Sequence, residues 1–373
     1  MPEIWLGYGD SEIILDIKYE NIQNIIKPEI NVQNPENLST SIRKNVNLQN
    51  SSVILVTTPF PKMMEIIKII REMSNELGIM SVDVFLLSKS YSLRLRQDIS
   101  KESLDITRIE SGEVLKKISI YKNVILIDKI EYDPVFGFSG SPVKLIRECY
   151  PQVMNQIYAS VIGEPPKPGL CGEALKISVE ELSNMDCQLI HVFSNREAID
   201  SLFFEPDIRS FVNTVNSFKE KTSITSNLSK SAFISGNSTY ASQMTLGNSL
   251  NLLWNNCHSV SDGGTIVLLS ENRGGINEGA ISKYVEGRLD LNGLDKYQYI
   301  YELEHINFLQ VLREKYEIIL ISTLPQVYLN KVGLRSISKI KDGLDWIIKK
   351  NGKFSKTNII PTSEITMVTN NTS

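Results

Sequence analysis

Residues 123–142 read NVILIDKIEYDPVFGFSGSP. The segment 123–130 is rich in Ile, Leu and Val, which predicts a buried strand. FGFSGSP at 136–142 follows it. Pro142 suits the first turn of a helix over 142–161, which Pro151 should interrupt. Strand, Gly-rich turn and helix in that order are the repeating unit of an α/β fold. Upstream, VILVT at 53–57 and VDVFLLS at 82–88 predict two more strands. Between them, Met63, Ile66, Ile67, Ile70, Met73 and Leu77 recur at helical spacing. Downstream come a helix over 174–185, a strand over 188–194 (QLIHVFS) and a helix over 207–220.

The composition shifts at 221–231, KTSITSNLSKS, which has no apolar period and marks a boundary. A second α/β block follows, with strands at 232–235, 264–269 and 317–322 and helices near 241–256, 279–287, 295–315 and 336–350. The fold class is therefore α/β, in two α/β domains. The expected division is 1–222, a linker at 223–228, and 229–373. TNII at 357–360 is a last strand that packs on either domain. Residues 28–52 read as an Asn-rich connection, and the polar tail 366–373 is expected to fray.

Composition excludes several function classes. A chain of 373 residues fits about two domains. Lys and Arg total 39 against 43 Asp and Glu, so nucleic acid is not the expected partner. No apolar run reaches the ~18 residues of a bilayer span, and the acidic N-terminus does not read as a secretory signal. Cys149, Cys171, Cys187 and Cys257 form no CxxC pair, which excludes a zinc ribbon and makes a reducing cytoplasm the expected compartment. His191, His258 and His305 are the only histidines, so residues 1–190 offer no imidazole.

Two Gly-rich turns can carry chemistry. At 136–142, Gly137, Ser139, Gly140 and Ser141 can present backbone amides to an anion at a helix N-terminus, or can simply form a tight turn. Lys144 sits just inside that helix and can reach an anion, although a surface lysine is the commoner reading. The second turn, SDGGTIVLLSENRGGINEG at 261–279, puts Arg273, Gly274, Gly275, Glu278 and Gly279 beyond a strand, where α/β proteins bind ligands, or else forms a surface loop. Thr58 lies at the end of the strand 53–57. Asp133 precedes the FGFSG loop and could pair with Lys144. Tyr240 falls at a strand-to-helix turn. His191, inside an apolar strand, reads as a satisfied core histidine.

The opening YGDSEIILDI, the strand VILVTTPFP, FGFSGSP, and SDGGTIVLL with its loop ending in NEG resemble the nickel-pincer lactate racemase family, over roughly residues 6–360. The resemblance implies two α/β domains with an interdomain cleft that holds one active site. It also implies a nickel-pincer nucleotide anchored on a lysine after the GFSGG loop, a distal metal His, and two His proton acceptors. On those patterns, Thr58-Pro59-Phe60-Pro61-Lys62 stands where the family has Asp-His-Thr-Arg-Pro. One catalytic His falls near Tyr91 and the other at Asp133. Val143 occupies the lysine position, with Lys144 one place later and turned by about 100°. The metal His has no counterpart in ASVIG, Tyr240 matches the Tyr of Gly-Gly-Tyr-Pro, and a substrate-side Lys falls near Asn251.

The expected protein is a divergent 2-hydroxy-acid racemase or isomerase relative whose catalytic His and nickel-site residues are lost. It would hold a small anionic molecule in its interdomain cleft, with Tyr91 and Asp133 as reactive candidates. Thr58, Gly137, Ser139, Gly140, Lys144, Tyr240 and Glu278 would line that site. The alternative is a non-catalytic binding or regulatory module on the same scaffold.

Overall fold

The computed structural model describes residues 3–30, 34–60, 62–79, 82–87, 105–195, 198–236, 244–291 and 298–370. Chain order begins with the hairpin β1 (Glu3–Tyr8) and β2 (Ser11–Asp16), then β3 (Ile22–Ile25) and a helix over Pro35–Asn45. β4 (Ser52–Val56), the helix Met63–Glu76, β5 (Asp83–Leu87), β6 (Thr107–Ile109) and β7 (Asn123–Lys129) follow. A small hairpin, β8 (Glu131–Asp133) with β9 (Gly137–Ser139), leads into helices Ser141–Cys149, Pro151–Ala159 and Glu173–Glu181. β10 (Cys187–Asn195), β11 (Ala198–Glu205) and the helix Phe211–Thr222 complete this half.

The second half starts with β12 (Ser223–Thr225), β13 (Ser229–Ser235), the helix Leu246–Asn256 and β14 (Val260–Leu269). Helices Ala280–Val285 and Leu303–Arg313 precede β15 (Glu317–Ile321), and helix Gln326–Lys331 precedes β16 (Arg335–Ile337). Helix Ile340–Asn351, β17 (Thr357–Ile360) and β18 (Met367–Thr369) end the described chain.

Two open sheets organise these elements. The first has the order β11-β10-β7-β4-β5-β6, parallel except for the β10–β11 hairpin. The second is wholly parallel, in the order β16-β15-β14-β13-β17-β3. Central strands such as β4 and β7 are buried on both faces, which is why they read as unbroken apolar runs. Each sheet is built outward in both directions from its first core strand. The first reverses between β4 and β7, the second between β13 and β17. Such reversals open a crevice beyond the strand ends. Among the described residues, no helix is long and apolar enough to cross a membrane.

Four expectations change. Residues 1–222 do not pack as one unit: β3 joins β17 in the second sheet, and Ile4, Leu6, Leu15 and Ile17 share a core with Phe233 and Val267. The connection 28–52 contains the helix Pro35–Asn45, because Asn34 accepts a bond from Asn37 N (2.8 Å) and Leu38 and Ile42 bury one face. The helix expected from 295 starts only at Leu303, since Glu302 adopts a positive φ of 70°. The tail is not frayed throughout: β18 pairs in parallel with β12, which lies in the expected linker, and Val368 is fully buried. Val368→Ala is therefore expected to lower stability by about 2 kcal/mol. A urea titration showing a loss under about 0.5 kcal/mol, as for a surface site, would mean that the strand does not hold the halves together.

Candidate functional site between the two sheets

The site grows from register. Thr57 directly follows β4, whose last residue Val56 pairs with Ile127, so Thr57 lies level with Asp128 of β7; Asp128 in turn pairs with His191 of β10. Side chains alternate along strands. Val53, Leu55, Val124, Leu126, Leu189 and Phe193 all belong to one core, so Thr57, Asp128 and His191 line up on that same face. This row crosses three adjacent strands, at the ends of β4 and β7 and midway along β10, and spans the β4/β7 reversal. Sequence reading passed over it because the three residues are far apart in the chain and each sits in an apolar run.

The FGFSG turn closes over the row. The backbone N–H of Ser141 donates to His191 Nε2 (3.1 Å), which leaves the imidazole proton on Nδ1. A Cβ on Gly140 would come within 2.8 Å of His191 Nε2 and of the Phe211 ring, so only glycine permits this approach. Burial holds His191 neutral, with its pKa pushed down to about 3. Its reading as a satisfied core histidine holds for Nε2 alone: Nδ1 has no partner among the described residues, and neither have Asp128 Oδ2, Ser139 Oγ and Ser141 Oγ. Buried polar atoms without partners cost free energy unless something fills the space between them.

Charged groups flank this row. Burial pushes the Asp128 carboxyl up to about 7, partly offset by the charge of Lys144 and the hydroxyl of Thr57. Burial also acts on Glu131, but Lys129 and Lys144 outweigh it and hold the carboxyl below its usual range. Lys129 pairs with Glu131 (3.0 Å) and also feels Glu364, which lies beyond β17 at the reversal of the second sheet. Glu364 Oε2 is 2.9 Å from where a Cβ on Gly236, at the end of β13, would stand. The two crevices thus meet, with Lys129 between them. Val143 is fully buried in the core, whereas Lys144 is half-buried with its charge towards Asp128 and Glu131. Lys144 has no ion pair among the described residues.

The other sequence candidates fall in different places. Gly137, Ser139 and Gly140 are buried in the turn, and Gly137 takes a positive φ of 85° against the Leu170 carbonyl. Thr58 is half-buried next to Thr57. The cation paired with Asp133 is Arg147, not Lys144. Asp133 Oδ1 accepts from Val135 N (2.8 Å) and Phe136 N (2.9 Å), while Arg147 Nη2 reaches both oxygens (3.1 and 2.9 Å). Arg147 Nη1 then donates to Glu304 (2.8 Å) and to Tyr299 Oη (2.9 Å) in the second half. Glu278 is exposed; its neighbour Asn277 donates instead to Glu302, a buried carboxyl at the start of helix Leu303–Arg313 (2.9 Å) that burial raises to about 7. Tyr91 and Tyr240 lie outside the described residues.

The nickel-bearing group implied by the resemblance needs imidazole facing the crevice, and these residues do not fit it. His191 Nε2 accepts from Ser141 N and its Nδ1 carries the proton, so neither nitrogen offers a lone pair; His305 Nδ1 accepts from Trp254 Nε1 (2.9 Å), and His258 sits on an exposed turn. Among the described residues no cluster of three or more His, Cys, Asp or Glu could hold a metal.

No family model matches the chain, and no curated protein matches it in sequence. Solved structures do match. The lactate racemase apoprotein from Thermoanaerobacterium thermosaccharolyticum superposes with a TM-score of 0.79 at 12% identity, covering 99% of this chain and 100% of that one. A protein from Thermotoga maritima solved by structural genomics superposes at 0.62 with 13% identity, covering 90% and 97%. At such identities the likeness concerns architecture, and it spans the whole chain: this protein has the fold of the lactate racemase apoprotein.

Proposed function

We propose that the protein is a divergent relative of the 2-hydroxy-acid racemases that binds a small carboxylate anion between its sheets and does not use nickel-pincer chemistry. One observation carries this reading. The half-buried ammonium of Lys144, without an ion pair among the described residues, stands in the first turn of a helix at the reversal point of the first sheet. Cations at such positions attract anions, and the helix N-terminus adds to the field. The hydroxyls of Ser139 and Ser141 supply further polar contacts near the same loop. The fold likeness to a lactate racemase points the choice of ligand towards 2-hydroxy acids.

Calorimetric titration with D- and L-lactate tests the reading. Binding is expected, and Lys144→Met is expected to weaken it about tenfold or more, as for loss of a charge-assisted bond. Equal affinity in the variant would remove Lys144 from the site. Incubation of each enantiomer with metal-free protein separates isomerase from binding module: conversion supports the former, whereas tight binding without conversion supports the latter. The Arg147 hold on Asp133, and burial that keeps His191 neutral with its Nε2 engaged by Ser141 N, favour the binding module.

A further inference from the structure

We infer that the free edge of the second sheet is a self-association surface, where β3 of one copy pairs antiparallel with β3 of another. The inference is independent of the anion site. β3 has β17 as its one neighbour, so among the described residues its outer edge meets no strand. Such an edge carries backbone N–H and C=O groups ready to pair, and it is usually guarded by charge or proline. The other three edge strands of the two large sheets are charged: β6 holds Arg108, β11 holds Asp200 and Glu205, and β16 holds Arg335. β3, which reads Ile22-Gln23-Asn24-Ile25, has neither charge nor proline. Its first three residues are half-buried, and Ile25 is 48% exposed.

Complementarity about a two-fold axis selects a second copy as the occupant. An axis between Gln23 and Asn24 sets Ile22 opposite the second copy's Ile25, and Gln23 opposite its Asn24. Ile22 aligns with Thr357 and Ile25 with Ile359, two residues apart on β17, because the register shifts beside Asn358. Both isoleucines therefore lie on one face, and the pairing joins them into one apolar strip. Outward from the axis, the same alignment brings Glu20 towards the second copy's Lys27, and Lys18 towards its Glu29. Opposite charges thus meet at both ends. Lys27 and Glu29 are exposed and have no ion pair among the described residues, and the Lys18–Glu20 pair (3.7 Å) is open to solvent. Two exposed rings stand at the start of the strand. Tyr19 is 82% exposed; Asn21 Nδ2 donates to the carbonyls of Lys353 (2.7 Å) and Ser355 (3.0 Å), which holds Phe354, 84% exposed, at the same end. A second copy on this edge would cover part of that apolar surface. The contact is isologous, so it closes at two copies.

Sedimentation equilibrium of the full chain, from about 1 to about 200 µM, tests the contact. A dimer with a dissociation constant on the order of 10 µM is expected, since so short an edge makes a small interface. Ile25→Lys should abolish it by setting an ammonium opposite Ile22, while the urea midpoint stays at the wild-type value. Lys27→Glu should weaken the dimer about tenfold, because the axis repeats the repulsion from Glu20 twice. Adding Glu20→Lys to Lys27→Glu should restore it, a rescue that a folding defect would not show. If Ile25→Lys folds poorly, this charge exchange decides alone. A chain that stays monomeric throughout overturns the inference. So does a dimer that survives in folded Ile25→Lys, and so does assembly beyond two copies. A dimer indifferent to Lys27→Glu, or not restored by the exchange, overturns the antiparallel pairing.

Discussion

Arg147→Ala is expected to lower the unfolding free energy by about 3–5 kcal/mol, the range for breaking a buried ion pair from one side. Arg147 bridges Asp133 and Glu304 with side chains that are 9%, 10% and 3% exposed. Its loss would leave two carboxylates buried without a cation, and Phe136 without the guanidinium that lies 5.0 Å from its ring centroid. The helix carrying Lys144 would also lose its link to helix Leu303–Arg313. Urea unfolding checks the size of the effect. Arg147→Lys should recover only part of it, because an ammonium cannot serve both carboxylates with the planar fork. Asp133→Asn and Glu304→Gln in the Arg147→Met background should recover more, since the buried charges then disappear together. A loss below about 1 kcal/mol for Arg147→Ala, typical of exposed pairs, would show that the latch is solvated.

Gly137→Ala should cost about 2–4 kcal/mol, from two separable causes. Gly137 has φ of 85°, where an L side chain is strained, and a Cβ there would overlap the Leu170 backbone carbonyl. The neighbouring chain cannot yield easily, because Gly169 N donates to Gly137 O at 2.8 Å and Lys167 N to Pro134 O at 2.8 Å. Gly163 is the control: its φ is 78°, but nothing lies within 4 Å of its Cβ position. Gly163→Ala should therefore cost only the conformational part, about 1–2 kcal/mol. Equal losses in the two variants, read from thermal or urea unfolding, would show that the contact with Leu170 contributes nothing. Because Gly137 opens the turn that ends in Ser139, Gly140 and Ser141, the first variant should also weaken lactate binding.

The candidate site was only partly legible in the sequence. Glycines in FGFSG announced a turn beside a helix, and that turn does cover the polar row. Lys144, named among the site residues although it lies one place beyond the lysine the resemblance implies, carries its charge to Asp128 and Glu131, because the helix begins at Ser141 and buries Val143 instead. Asp133 drew attention by its position before the loop, yet its partner Arg147 is a full helix away and Glu304 comes from the other half. Asp128 escaped notice because one charge in an apolar strand carries no local pattern. Glu364 escaped because its role depends on β17 lying next to β13.

Local sequence settled the α/β class. Apolar runs of strand length and the 3.6-residue period of the intervening helices report whether a segment is buried on two faces or one, and that depends only on neighbouring residues. The histidine inventory, likewise a property of composition, kept imidazole out of the first half. Tertiary structure decided which strands became neighbours. Parallel strands are joined by long crossovers, so neither their order nor their register is written in any short window. Those two choices placed Thr57, Asp128 and His191 abreast, moved β3 into the far sheet, and turned two reversal points towards one crevice.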